Sequence, residues 1–177
     1  MRIFIAIQLN NYIKSHLNHM TKQLVPYFSK ARYSHTENYH ITLKFIGEVG
    51  RDEFNKIIEA VKAAAIEVEK FVIWTKGAGS FQKKNKHIFY CSTEDSVNLQ
   101  KLYSILDREL KNTEVEFNDG KFTPHITLAR EAVLLNEFPK IEFEKNEIEV
   151  NSISVMESTR VNGKLTYIPQ FTAKLKG

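Results

Sequence analysis

Two histidines each stand two residues before a threonine in the same tetrapeptide, His40-Ile41-Thr42-Leu43 and His125-Ile126-Thr127-Leu128. In a strand, residues i and i+2 share a face, so His40 points with Thr42 and His125 with Thr127, opposite Ile41, Leu43, Ile126 and Leu128. Imidazole has an unperturbed pKa near neutrality, so two of them can serve as a base and an imidazolium acid at one pH. A hydroxyl beside each can donate to non-bridging phosphate oxygens, where charge collects during displacement. Converging on one cleft, the four groups suit cleavage of a phosphodiester. One histidine takes a proton from attacking water; the other gives one to the departing ribose oxygen.

Competing chemistries lack their parts. No carboxylate or cysteine shares the face register of either His-x-Thr pair, so a metal there is under-coordinated and none is expected. There is no Gly-x-Ser-x-Gly elbow and no Gly-rich phosphate loop ending in Lys-Ser/Thr, which argues against a serine hydrolase and against ATP as a substrate. No cofactor is expected. The single cysteine, Cys91, ends the apolar run Ile88-Phe89-Tyr90 and reads as a small buried side chain. Alone it forms no internal disulfide, in keeping with a reducing compartment.

The elements that must position these residues alternate irregularly. Ile3, Ile5 and Ile7 mark a strand over 2–8, and Ile13, Leu17, Met20 and Leu24 a helix over about 11–25, ended near Pro26. A strand over 40–46 closes at Gly47, and a helix runs from Arg51 to Lys70. Phe71–Lys76 and Lys86–Ser92 read as strands joined by the turn-forming stretch Gly77-Ala78-Gly79-Ser80 and the basic run at Lys83-Lys84. A third helix covers about 95–111. The loop Asn118-Asp119-Gly120 precedes a strand at 125–130, and further strands are expected at about 141–145, 147–159 and 165–175. Asn162-Gly163 is the hairpin turn that needs positive φ. Mixed elements without strict βαβ alternation indicate an α+β fold with antiparallel sheets. No Pro/Gly/Ser-rich linker divides the chain, so two lobes must pack directly, as one domain over 1–177.

The chain has 177 residues, of which 42% are hydrophobic and 26% charged, enough for a substantial core. Its net charge of +4 favours an anionic partner. No apolar run approaches the roughly 20 residues that span a bilayer, and the opening Arg2-Ile3-Phe4-Ile5-Ala6-Ile7 is too short and alternating for a signal peptide. The cytoplasm is the expected compartment, with no membrane association. No feature advertises a subunit interface, so a monomer without an obligate protein partner is expected.

The segments Tyr39-His40-Ile41-Thr42-Leu43-Lys44-Phe45-Ile46-Gly47-Glu48-Val49 and Pro124-His125-Ile126-Thr127-Leu128-Ala129-Arg130 resemble the paired signatures of the two-histidine phosphoesterases. Within that superfamily they are similar to the RNA 2′,3′-cyclic phosphodiesterase branch, also called 2′-5′ RNA ligase. Resemblance extends to the opening residues, to Gly77-Ala78-Gly79-Ser80-Phe81, and to Met156-Glu157-Ser158 with Gly163 and Tyr167. It implies a bilobal fold with a pseudo-twofold axis, each lobe an antiparallel sheet backed by helices, and a central cleft carrying both motifs. It also implies metal- and ATP-independent hydrolysis of RNA 2′,3′-cyclic phosphate ends, tRNA fragments among them, to 2′-phosphates. Joining of 2′-5′ linkages in vitro follows if an RNA hydroxyl replaces water.

A 2′-phosphate product makes the 3′ oxygen the leaving group, with His40 assigned as the acid that protonates it and His125 as the base that activates water. The near-symmetric motifs leave the opposite assignment open. The resemblance makes Arg130 a candidate phosphate or RNA contact, although parity groups it with Ile126 and Leu128 unless the strand ends or twists at Ala129. Lys44 has the parity of His40, which aims it at the cleft mouth, where it would hold a flanking phosphate. Tyr39, Phe45 and Phe81 are candidates for stacking on a base, although Phe45 has core parity. Two alternatives share the cleft: a non-catalytic RNA-binding module, and a cyclic phosphodiesterase acting on small nucleotides.

Overall fold

A computed structural model describes residues 1–138 and 141–177. Among the described residues nine strands form two antiparallel sheets, one in the order β3-β1-β8-β9 and one in the order β2-β6-β5-β4-β7. In the first are β1 (Arg2–Gln8), β3 (His40–Glu48), β8 (Ser152–Val161) and β9 (Lys164–Lys174). The second holds β2 (Phe28–Tyr33), β4 (Phe71–Lys83), β5 (Lys86–Thr93), β6 (His125–Leu134) and β7 (Glu147–Val150). The chain crosses between the sheets repeatedly, so each lobe is built from distant segments, and the α+β class with antiparallel sheets is borne out.

Among the described residues three α-helices cover the sheets. The first, α1 (Asn11–Leu24), starts where the Asn10 side chain accepts from the Ile13 N–H at 2.9 Å, and its stripe Ile13, Leu17, Met20 and Leu24 is buried. It packs against β6. The second, α2 (Arg51–Ile66), lies on β8 and β9 and against α3 (Val97–Lys111), whose buried face is Leu99, Leu102, Leu106 and Leu110. Strand β1, paired on both sides, is buried from Ile3 to Ile7.

Several boundaries differ from the sequence reading. The stretch Gly77-Ala78-Gly79-Ser80 is no turn: β4 runs through it to Lys83, and the hairpin reverses at Lys84, which adopts φ 59°. Gly79 is required there for close approach, because a Cβ would fall 2.6 Å from the ring of Tyr90, its partner across the ladder. Strand β2 has no counterpart in the sequence reading; its FSKARY sequence buries only Phe28 fully and so shows no apolar period. The segment 141–146 is irregular, and the strand expected over 147–159 divides at Asn151, with β7 pairing β4 in one sheet and β8 pairing β1 in the other. The Asn162-Gly163 turn is as expected, with φ of 50° and 77°.

Candidate active site

Strands β3 and β6, each paired with a strand inside its sheet, approach one another where the lobes meet, and the faces bearing His40, Thr42, His125 and Thr127 line one cleft. His40 shares one cavity with Thr127 and Arg130 and a second with Thr42, Phe45 and Arg130, while His125 shares an adjoining one with Thr42 and Phe45.

Both imidazoles are oriented in the same way. His40 Nδ1 lies 2.6 Å from the carbonyl oxygen of Asn38, and His125 Nδ1 lies 2.7 Å from that of Thr123, each two residues upstream. A carbonyl only accepts, so each neutral ring keeps its proton on Nδ1 and turns a bare Nε2 toward the cleft. The His40 Nε2 meets Thr42 Oγ1 at 2.9 Å. Aromatic rings frame both: Phe4 and Tyr167 stand 4.8 and 5.2 Å from His40, and Phe81 and Tyr90 stand 5.1 and 5.3 Å from His125, between ring centroids.

Burial in this setting penalises the imidazolium. It pushes His40 down to about 4, against the raising effect of the Asn38 carbonyl and with the help of nearby Arg130, His125 and Lys14. His125 is lowered too, first by burial and then by Arg130, against the Thr123 carbonyl. Both are therefore neutral at pH 7. Cys91 is fully buried, and burial pushes its thiol up to about 12, which leaves it no thiolate character.

A matched irregularity sets the direction of the side chains beyond each motif. Along β1 and β3, Ala6 pairs with Thr42 but Ile5 with Lys44; along β5 and β6, Tyr90 pairs with Thr127 but Phe89 with Ala129. Leu43 and Leu128 are the extra residues of two equivalent β-bulges, and beyond each the side chains exchange faces. Arg130 is thereby carried onto the cleft face, where it lines the cavities beside His40. The break in parity falls between Thr127 and Ala129, one residue before Arg130.

The same exchange overturns the parity of Lys44 and Phe45. The Lys44 stem borders the cavity beside His125, but its ammonium is turned away from the cleft mouth. Lys44 is buried on the other face, with Nζ 2.5 Å from Asp107 Oδ1 and 3.0 Å from Asp119 Oδ1, over the rings of Tyr103 and Phe117. Phe45, a stacking candidate despite its core parity, is 41% exposed and lines the cleft, with the Arg2 guanidinium 5.1 Å above its ring. Tyr39 is buried, its hydroxyl 2.9 Å from Thr21 Oγ1, and so cannot stack on a base; Phe81 remains exposed at the edge of His125.

Asn38, Arg32 and Arg160 escaped the sequence reading. Asn38 orients His40 through its carbonyl, and its side chain joins Leu165 O at 2.9 Å and the Tyr167 N–H at 3.3 Å, fixing β9 to the start of β3. Arg32 and Arg160 line the cavity that holds His40, Thr127 and Arg130. Among the described residues no three His, Cys, Asp or Glu side chains gather as metal ligands, and no helix is long and apolar enough to cross a membrane.

Comparison with known proteins gives concordant results. The structure aligns over 100% of this chain and 99% of a Thermus thermophilus protein with a TM-score of 0.83 at 21% identity. With E. coli LigT complexed with 3′-AMP it gives a TM-score of 0.82 at 22% identity, over 99% and 98% of the two chains. Among sequences, the chain is 31% identical over 164 residues to the RNA 2′,3′-cyclic phosphodiesterase of Thermotoga maritima, covering 90% of this chain and 87% of that one. The sequence model of the 2′-5′ RNA ligase superfamily matches residues 14–162, a span that includes both His-x-Thr strands, and the chain belongs to that superfamily.

Proposed function

We propose that the protein is a metal- and ATP-independent RNA 2′,3′-cyclic phosphodiesterase that opens the cyclic end to a 2′-phosphate. The reading is carried by the two bare Nε2 atoms, each with its Nδ1 proton committed to a backbone carbonyl, on strands that face one cleft. The name of the Thermotoga maritima relative supports the same substrate.

In this mechanism His125 takes a proton from water as its oxygen attacks phosphorus. The P–O3′ bond breaks, and the electron pair left on O3′ accepts a proton from His40. The products are a free 3′-hydroxyl and a 2′-phosphate. Thr42 and Thr127 donate to the non-bridging oxygens, which gain charge in the displacement. His40 must be an imidazolium to do its part, and the negative phosphate supplies the field that raises its pKa once bound. Arg130 adds a fixed positive charge near those oxygens. When an RNA 5′-hydroxyl replaces water, the same steps leave a 2′-5′ linkage, the ligase direction. The protein acts as a cytoplasmic monomer, one domain of two interleaved lobes, and tRNA fragments are among the RNA ends it meets.

The test is incubation of EDTA-treated protein with a short RNA ending in a 2′,3′-cyclic phosphate, followed by identification of the product isomer. A 2′-phosphate, lost in both His40→Ala and His125→Ala, is expected. RNA that binds but keeps its cyclic end would turn the reading to the non-catalytic module. An activated 3′ leaving group should rescue His40→Ala; rescue of His125→Ala instead would reverse the acid and base.

A further inference from the structure

Arg32 of β2 stands directly opposite Arg130 of β6 in their antiparallel ladder. Like charges in facing positions repel, and such a pair weakens the sheet unless an opposite charge relieves it. Among the described residues no carboxylate forms an ion pair with either arginine, or with Arg160 of β8. All three line the cavity that holds His40 and Thr127. Arg160 is pinned there by Nη1 donating to the Gly163 carbonyl at 2.8 Å within its hairpin, so its position does not depend on a ligand.

The other side of the cleft is different in kind. Around His125 the lining includes Phe45, Phe122 and Thr123, with Phe81 and Tyr90 beside the ring; its cations are Lys121 and Lys44, the latter paired with Asp107 and Asp119, and no arginine lines it. Positive charge is thus concentrated beyond His40, more than one phosphate held between the histidines would require. An RNA with a 2′,3′-cyclic end has no chain on its 3′ side, so any further phosphate lies upstream.

We infer that Arg32 and Arg160 form a second phosphate site, beside the reacting one, that receives the phosphodiester on the 5′ side of the terminal nucleotide. The inference rests on the proposed activity and specifies its substrate: an oligonucleotide end in preference to a mononucleoside cyclic phosphate, laid with its upstream strand across the His40 side. Guanidinium groups suit this task because their planar donors pair with phosphate oxygens in two places at once.

The experiment compares kcat/KM for adenosine 2′,3′-cyclic phosphate, for the adenosine dinucleotide with the same cyclic end, and for that dinucleotide with a neutral methylphosphonate link. Wild-type protein is expected to favour the ordinary dinucleotide over the mononucleotide by about ten- to a hundredfold, the scale of one or two charge-assisted contacts at a partly solvated site. The methylphosphonate dinucleotide should behave like the mononucleotide. Arg32→Gln and Arg160→Gln should each remove most of the preference, and added salt should erode it. A wild-type protein without the preference, a methylphosphonate that keeps it, or variants that slow the mononucleotide and dinucleotide equally would each overturn the inference. Failure of wild-type protein to open any of the three substrates would overturn the activity itself, and that outcome appears before any comparison between substrates.

Discussion

The Nε2 of His40 lies 2.9 Å from Oγ1 of Thr42, while its Nδ1 is held by the Asn38 carbonyl. The threonine hydroxyl is therefore the donor and the imidazole the acceptor. A bound phosphate must take over that hydroxyl and leave Nε2 facing the leaving oxygen. Thr42→Val, which keeps the shape and removes the donor, is expected to lower kcat by about a hundredfold, the cost of one donor to developing charge. Thr42→Ser should retain most activity. Steady-state kinetics on a cyclic-ended RNA check both, with KM changing less than kcat.

His40 also sets a pH dependence of stability. Its ordinary pKa of 6.5 applies to the unfolded chain, whereas burial holds it at about 4 in the folded protein. Between these values the unfolded state binds the extra proton, so the His40 contribution is full above about pH 6.5 and is lost as pH falls toward 4. The loss is on the order of 2–3 kcal/mol. His40→Gln should flatten this part of the curve, seen as a smaller fall in Tm from pH 7 to pH 4.5 than wild-type protein shows.

Substrate should reverse that shift. With a phosphate beside it, His40 is expected to titrate well above its value in the free protein, so binding of an RNA 2′-phosphate near pH 7 takes up a proton. NMR titration of the imidazole with and without the ligand measures this directly. An unchanged His40 pKa would count against its role as the acid.

Gly79 leaves space for the Tyr90 ring that flanks His125. Gly79→Ala should cost about 1–3 kcal/mol from overpacking and should reduce turnover by displacing that ring. The cost should shrink sharply in a Tyr90→Ala background, because the clash is with this one side chain. A double-mutant cycle by thermal or urea denaturation checks the coupling.

Lys44 should prove a structural residue. Replacing it with alanine leaves Asp107 and Asp119 with Lys111 as their remaining cation and removes the buried stem that packs against Tyr103 and Phe117, so Tm should fall. RNA affinity measured well below the melting temperature, and its salt dependence, should change little. A reduced salt slope would mean that Lys44 meets phosphate after all.

The sequence by itself determined the pairs that share a face, His40 with Thr42 and His125 with Thr127, because strand periodicity is a local property. It also determined the apolar stripe of α1 and the Asn162-Gly163 turn, each of which depends on near neighbours along the chain. Tertiary structure decided the rest. The bulges at Leu43 and Leu128 arise from registering β3 against β1 and β6 against β5, and they sent Lys44 into the interior and Arg130 into the cleft. Gly79 has the local look of a turn residue, and only its partner across the ladder, Tyr90, gives it another purpose. The carbonyls of Asn38 and Thr123 orient the histidines with backbone atoms, which carry no side-chain signature. Arg32 and Arg160 lie on strands remote in sequence and meet only because the chain threads both sheets. Periodicity records which way a residue faces on its own strand; which groups lie across the cleft depends on long-range pairing, and no local pattern encodes it.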